Sequence, residues 1–172
     1  MNETQQITPS LWFNTDTEEA INLYVSIFNG APGKRRDSKI ISIARYEKGM
    51  DVPGADQMEG KVLTAIFELN GQRFMALDGG PIFKFNEAVS FYVECADQEE
   101  VDYFWRNLSA VPEAEQCGWL KDKFGLSWQI VPKQLGELLG SPNRKKALAA
   151  TNAMLKMKRI VIADLQRAFD QA

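Results

Sequence analysis

The 172-residue sequence predicts an α+β fold built from two tandem β-α-β-β-β units and a helical tail. Two observations carry this prediction. Asp16–Phe28 and Asp97–Ser109 repeat one pattern at an offset of 81 residues, with apolar positions at i, i+3, i+4 and i+7. A stretch of period-two alternation stands just before each of them. Composition adds a bound: 45% hydrophobic and 25% charged residues describe an ordinary globular chain, long enough to bury a core without staples.

The elements follow in order. Ile7–Phe13 alternates Ile7, Leu11 and Phe13 against Thr8, Ser10 and Trp12, as a half-buried strand does. The helix after it opens on Asp16 with Glu19 three residues on, a capping-box arrangement that Asp97 and Glu100 repeat. The acidic pairs Glu18/Glu19 and Glu99/Glu100 therefore read as helix starts rather than acid/base dyads. Ser38–Glu47 and Lys61–Leu69 are rich in β-branched and aromatic residues, and Asn70-Gly71 is a hairpin signal leading into Arg73–Asp78. The polar, Gly- and Pro-bearing stretch Gly49–Gly60 reads as a loop able to act as a flap. The second unit starts with Val89–Glu94 and continues, after its helix, with Gln116–Asp122 and Leu126–Val131. Strand parity aligns Thr8 with Ser90, one residue out of step with the helices. The units divide as residues 1–80 and 81–132, and a helical tail, 133–172, is broken at Gly140-Ser141-Pro142.

Several function classes are excluded at once. The chain has no histidine, which removes Ser-His-Asp and Cys-His catalysis, HExxH zinc sites and two-His-one-carboxylate iron sites. Cys95 and Cys117 form no CxxC pair and read as packed thiols. Asn29–Lys34 looks like a phosphate loop, but Phe28 and Arg35 stand where Gly and Ser/Thr belong, and a helix precedes it. No GxGxxG follows a strand, so neither a dinucleotide site nor an S-adenosylmethionine Rossmann site is legible. The net charge of −3 gives no pull towards nucleic acid, and no apolar run approaches the ~20 residues of a membrane span. Met1–Gln6 carries no leader pattern, so the expectation is a cytoplasmic protein. The stretch Leu138–Ala163 holds six basic residues and no acid; Leu148, Thr151, Met154 and Leu155 make a helical stripe that predicts packing on the parent domain or on a second subunit.

The two units, with Ile7–Asn14, Glu18–Tyr24 and the run Asp122-Lys-Phe-Gly-Leu-Ser-Trp-Gln-Ile-Val-Pro132, resemble the vicinal-oxygen-chelate superfamily of glyoxalases, bleomycin-resistance proteins and extradiol dioxygenases. Within it they look like the PhnB-like branch, whose usual label is 3-demethylubiquinone-9 3-methyltransferase-like, and Ala153–Leu165 resembles that branch's C-terminal extension. The resemblance implies a cupped mixed β-sheet with helices on its convex side, and a homodimer. In metal-dependent members a divalent ion sits in the cup; the ligand positions carried over here are Thr8, Ala76, Ser90 and Gln129. None is a carboxylate or imidazole, so no metal and no cofactor are expected.

The expected cup is lined by Thr8, Ser10, Trp12, Phe74, Asp78, Ser90, Tyr92, Ser127 and Gln129, an aromatic and hydroxyl-bearing set suited to a small molecule. The alternative at this level is a collapsed cup with Trp12 and Tyr92 as core. A metal-free small-molecule binder is therefore the expected function. The rival is an enzyme using Asp78, Glu94 or Tyr92 as acid/base groups, with or without a weakly held divalent ion. The residues give the methyltransferase label no support.

Overall fold

A computed structural model describes residues 7–33, 37–51, 54 and 57–172. The chain divides into two compact units, Met1–Gly30 with Lys34–Lys84 and Ala31–Gly33 with Phe85–Ala172. Met1–Gln6, Lys34 and Arg35 of the phosphate-loop lookalike, and Val52, Pro53, Ala55 and Asp56 of the expected flap lie outside the described residues.

The first unit holds β1 (Ser10–Phe13), α1 (Thr17–Gly30), β2 (Lys39–Arg45), β3 (Val62–Leu69) and β4 (Gln72–Asp78). They form a four-stranded sheet in the order β1-β4-β3-β2, with β1 parallel to β4 and the other pairs antiparallel. The β3–β4 hairpin turns on Asn70 (φ 50°) and Gly71 (φ 84°), the two left-handed positions that a type I′ turn requires. Leu11, Phe13, Ala65, Phe67, Phe74 and Ala76 are buried on one face, where Phe67 and Phe74 stack at 5.3 Å. Helix α1 packs on β2, β3 and β4 and buries Ala20, Ile21, Tyr24, Ile27 and Phe28.

The second unit holds β5 (Ser90–Cys95), α2 (Gln98–Leu108), β6 (Trp119–Lys121) and β7 (Ser127–Pro132), then α3 (Lys133–Leu139), α4 (Arg144–Met154) and α5 (Ile162–Asp170). Its sheet is three-stranded, order β5-β7-β6, with β5 parallel to β7. The first strand of each unit thus pairs in parallel with its last, and the repeat is structural. Helices α1 and α2 start 81 residues apart and β1 and β5 start 80 apart, matching the one-residue slip between strands and helices.

Several features differ from the sequence prediction. Among the described residues the second unit is β-α-β-β, one strand short of β-α-β-β-β, and the sheets form as two rather than one. Gln116–Asp122 is a strand only from Trp119 to Lys121, because Cys117 takes φ 51° and turns the chain ahead of it. The expected stripe of the tail divides: Met154 packs against the tail's core, whereas Leu148 and Leu155 do not. Ala147 and Ala150 are the buried residues of α4, while Leu148 and Leu155 are 58% and 52% exposed. Small alanines let α4 sit close to α3 and α5, where Val131, Leu135, Leu138, Ile160 and Leu165 supply the bulk. The break at Gly140-Ser141-Pro142 falls between α3 and α4 as predicted.

Candidate functional site

Pairing register assigns every predicted pocket residue to a face. In the first unit Ser10 pairs with Met75, Leu11 with Ala76, Trp12 with Leu77 and Phe13 with Asp78. Ser10 and Trp12 therefore share a face with Met75 and Leu77. Phe74 and Asp78 lie on the opposite face, towards α1, and are 6% and 1% exposed. Alternation along β4 was legible, but Phe74/Ala76 and Met75/Leu77 are both apolar, so alternation alone could not say which set faces the helix. Thr8 precedes β1 and is half-buried. Trp12 is firmly packed: its indole N–H donates to Gly80 O (3.0 Å), its ring meets Phe83 edge-on at 5.0 Å, and it lies so close over Gly79 that a Cβ there would fall 2.1 Å from it.

Asp78 has a structural task. Its Oδ1 accepts from the Thr17 amide (2.9 Å), at the start of α1, and its Oδ2 accepts from the Val62 amide (2.9 Å). A carboxylate at a helix start meets the positive end of the backbone dipole. With both oxygens bound to buried amides, Asp78 is poorly placed to work as an acid or base.

Asp78 also floors an open, polar depression of about 580 Å³ that the sequence did not reveal, lined by Thr15, Glu18, Arg45 and Lys61 among others. Its basic groups are already engaged. Arg45 grips Glu18 through two 2.8 Å bonds, which lower the Glu18 pKa and raise that of Arg45, and Lys61 donates to Thr15 O at 3.4 Å.

The second unit brings its predicted residues together. Across β6-β7-β5 the register sets Lys121, Ser127 and Ser90 in one row, and Trp119, Gln129 and Tyr92 in the next. The intervening row, Leu120, Trp128 and Phe91, turns to the other face, where Trp128 meets Phe91 at 5.6 Å. Gln129 Nε2 donates to Ser90 Oγ (2.9 Å). The Ser127 hydroxyl is buried and has no hydrogen-bond partner. Tyr92 is 56% exposed, yet partial desolvation, with Glu94 and Cys95 nearby, raises its pKa above the ordinary value. Lys121 pairs with Glu87, which is thereby held below the usual carboxylate range. Val131 continues the Ser127 and Gln129 face and is buried in the core of the helical tail, which walls one end of the platform. Trp119 and Lys121 escaped the sequence reading, although their alternation with Leu120 was the signal that could have found them.

The Asp122–Pro132 run, the most specific motif of the resemblance, is a folding device. Asp122 Oδ1 accepts from the amides of Phe124 (2.9 Å) and Leu126 (3.0 Å), and Oδ2 accepts from Trp128 Nε1 (2.9 Å). The clamp closes the β6–β7 turn and so sets the register that places Lys121 opposite Ser127.

The metal positions carried over by resemblance do not fit a divalent ion. Ala76 offers no donor and is fully buried, Ser90 and Gln129 bond to each other, and no carboxylate joins them. Among the described residues no three Asp, Glu, Cys or His side chains converge as a metal site.

Residues 5–131 match the family model of 3-demethylubiquinone-9 3-methyltransferase. Among solved structures, a PhnB protein from Bacillus cereus is 38% identical, with 74% of this chain and 99% of that one covered and a TM-score of 0.59. A Pseudomonas aeruginosa protein shares the fold at 19% identity and TM-score 0.56, covering 75% of this chain and 98% of its own. No curated protein matches. The matched region ends at β7, ahead of the three tail helices. The chain belongs to the 3-demethylubiquinone-9 3-methyltransferase family, the PhnB-like branch of the glyoxalase superfamily.

Proposed function

We propose that this protein binds a small organic molecule without a metal ion, on the β5-β7-β6 face of its second unit. The observation that carries the reading is the buried, unpartnered Ser127 hydroxyl, set in a row with Ser90 and Lys121 and beside the aromatic row of Trp119 and Tyr92. A buried hydroxyl without a partner costs about 1–3 kcal/mol, and a ligand group is one way to recover it. Aromatic surface with a few converging polar groups is the usual make-up of such a site.

Native mass spectrometry of gently purified protein tests this directly, because one spectrum reports subunit number, metal and any retained molecule. A retained organic mass, lost in Tyr92→Ala while the circular dichroism spectrum holds, supports the reading. One divalent ion per subunit sinks the metal-free part of it. The reading also carries a homodimer in the cytoplasm, with no nucleic-acid partner; a monomer in light scattering at micromolar concentration counts against the dimer. No described helix is long and apolar enough to cross a membrane.

A further inference from the structure

The chemistry of the two rows narrows the ligand, and this step rests on the binding reading above. The first row presents donors. Lys121 brings an ammonium group and Ser127 an unpartnered hydroxyl. Ser90 accepts from Gln129, which leaves its own O–H proton to give. Three donors in a row, one of them cationic, match an anionic acceptor such as a carboxylate. The second row holds Trp119 and Tyr92 on either side of Gln129. Strands lie about 4.8 Å apart and the rows are two residues, about 6.7 Å, from each other, so the platform measures roughly 10 by 7 Å. That area suits a flat ring system of one or two rings.

We infer that the ligand is a planar aromatic carboxylic acid, its ring on the Trp119–Gln129–Tyr92 row and its carboxylate on the Lys121–Ser127–Ser90 row. Glu87 is the competitor within the chain. Its side chain is 63% exposed and that of Lys121 is 21% exposed, so the glutamate can swing into water while the lysine stays at the site. The acid takes the place of Glu87 at the ammonium group, next in the row to the buried Ser127 hydroxyl.

The test compares 2-naphthoate with its uncharged analogue 2-naphthamide by isothermal titration calorimetry on the full chain. The expected result is naphthoate tighter by about ten- to hundredfold, the worth of a charge-assisted hydrogen bond. Lys121→Met should erase that preference, and Glu87→Gln, an exposed change that spares the fold, should tighten naphthoate several-fold. Equal binding of the two probes, or a preference that survives Lys121→Met, overturns the acid assignment; if Tyr92→Ala still abolishes binding, the site itself stands. Unchanged or weaker naphthoate binding in Glu87→Gln also overturns it. If neither probe binds, the inference fails, and a retained mass in the native spectrum then decides whether the binding reading fails with it.

Discussion

Replacing Asp122 by Asn tests whether the family's most specific motif builds the turn, as the hydrogen bonds imply. The wild-type carboxylate serves at least three donors, two backbone amides through Oδ1 and the Trp128 indole through Oδ2, at 2.9–3.0 Å. Asn offers one oxygen. If that oxygen keeps the two amides, an NH₂ group faces the indole N–H of a side chain only 2% exposed. The lost bond to a charged acceptor is worth about 1.5–3 kcal/mol and the stranded donor costs about 1–3, overlapping terms that together give about 2–4 kcal/mol. Against a typical stability of about 5–15 kcal/mol this is a large fraction. Urea unfolding followed by far-ultraviolet circular dichroism reads the loss as a lower midpoint at unchanged slope. Trp128→Phe removes the donor instead, and the double variant should show a coupling of about 1 kcal/mol or more between the two sites. A loss below about 0.5 kcal/mol for Asp122→Asn, or no coupling, refutes the clamp. Because a one-residue slip of β6 on β7 would turn Lys121 to the other face, the same variant should also weaken naphthoate binding.

Asp78→Ala strands the amides of Thr17 and Val62 and should cost about 2–5 kcal/mol, with faster hydrogen exchange at those two amides and unchanged binding at the second unit. Gly79→Ala forces the Trp12 ring away and should destabilise by about 1–3 kcal/mol, with a shifted tryptophan emission; an unchanged spectrum would contradict the close packing. The Glu18 pKa is lowered in the folded state, so the pair's small contribution is present above the unfolded value and fades as pH falls through the folded one. Arg45→Met should let the Glu18 pKa rise back to the ordinary carboxyl range, as carboxyl NMR titration would read. Tyr92 has the opposite sign: its raised pKa makes the fold lose stability as pH rises past about 10, and its phenolate signal should be a late component that Tyr92→Phe removes.

Local chemistry carried most of the architecture into the sequence. Capping, periodicity and turn residues act within a few residues of themselves, so α1, α2, the Asn70-Gly71 hairpin and the break before α4 are all legible. At α2 the Asp97 cap is formed as read, its Oδ1 accepting from the Glu100 amide, while Glu100 Oε2 reaches one residue past the cap to the Ala96 amide; at α1 the Thr17 amide goes to the distant Asp78 instead. The row of Ser90 and Ser127 beside Tyr92 and Gln129 was legible too, because β5 and β7 alternate between polar and apolar residues.

Which partner a side chain meets is a different matter, since it depends on register between distant strands. The carboxylate of Asp78 reaches Thr17 across 61 residues of chain and Val62 across 16, and no local pattern distinguishes such a clamp from a pocket acid. The same holds for β4, where two apolar faces leave the choice to the helix that packs on one of them, and for α4, whose alanines are buried because close approach to α3 and α5 outweighs the size of Leu148 and Leu155. Sequence alone thus determined the kind and order of most elements, though not the strand count of the second unit, because short-range preference sets them. Tertiary structure decided the faces, the clamps and the donor row at Lys121, because those follow from pairing and packing between segments far apart in the chain.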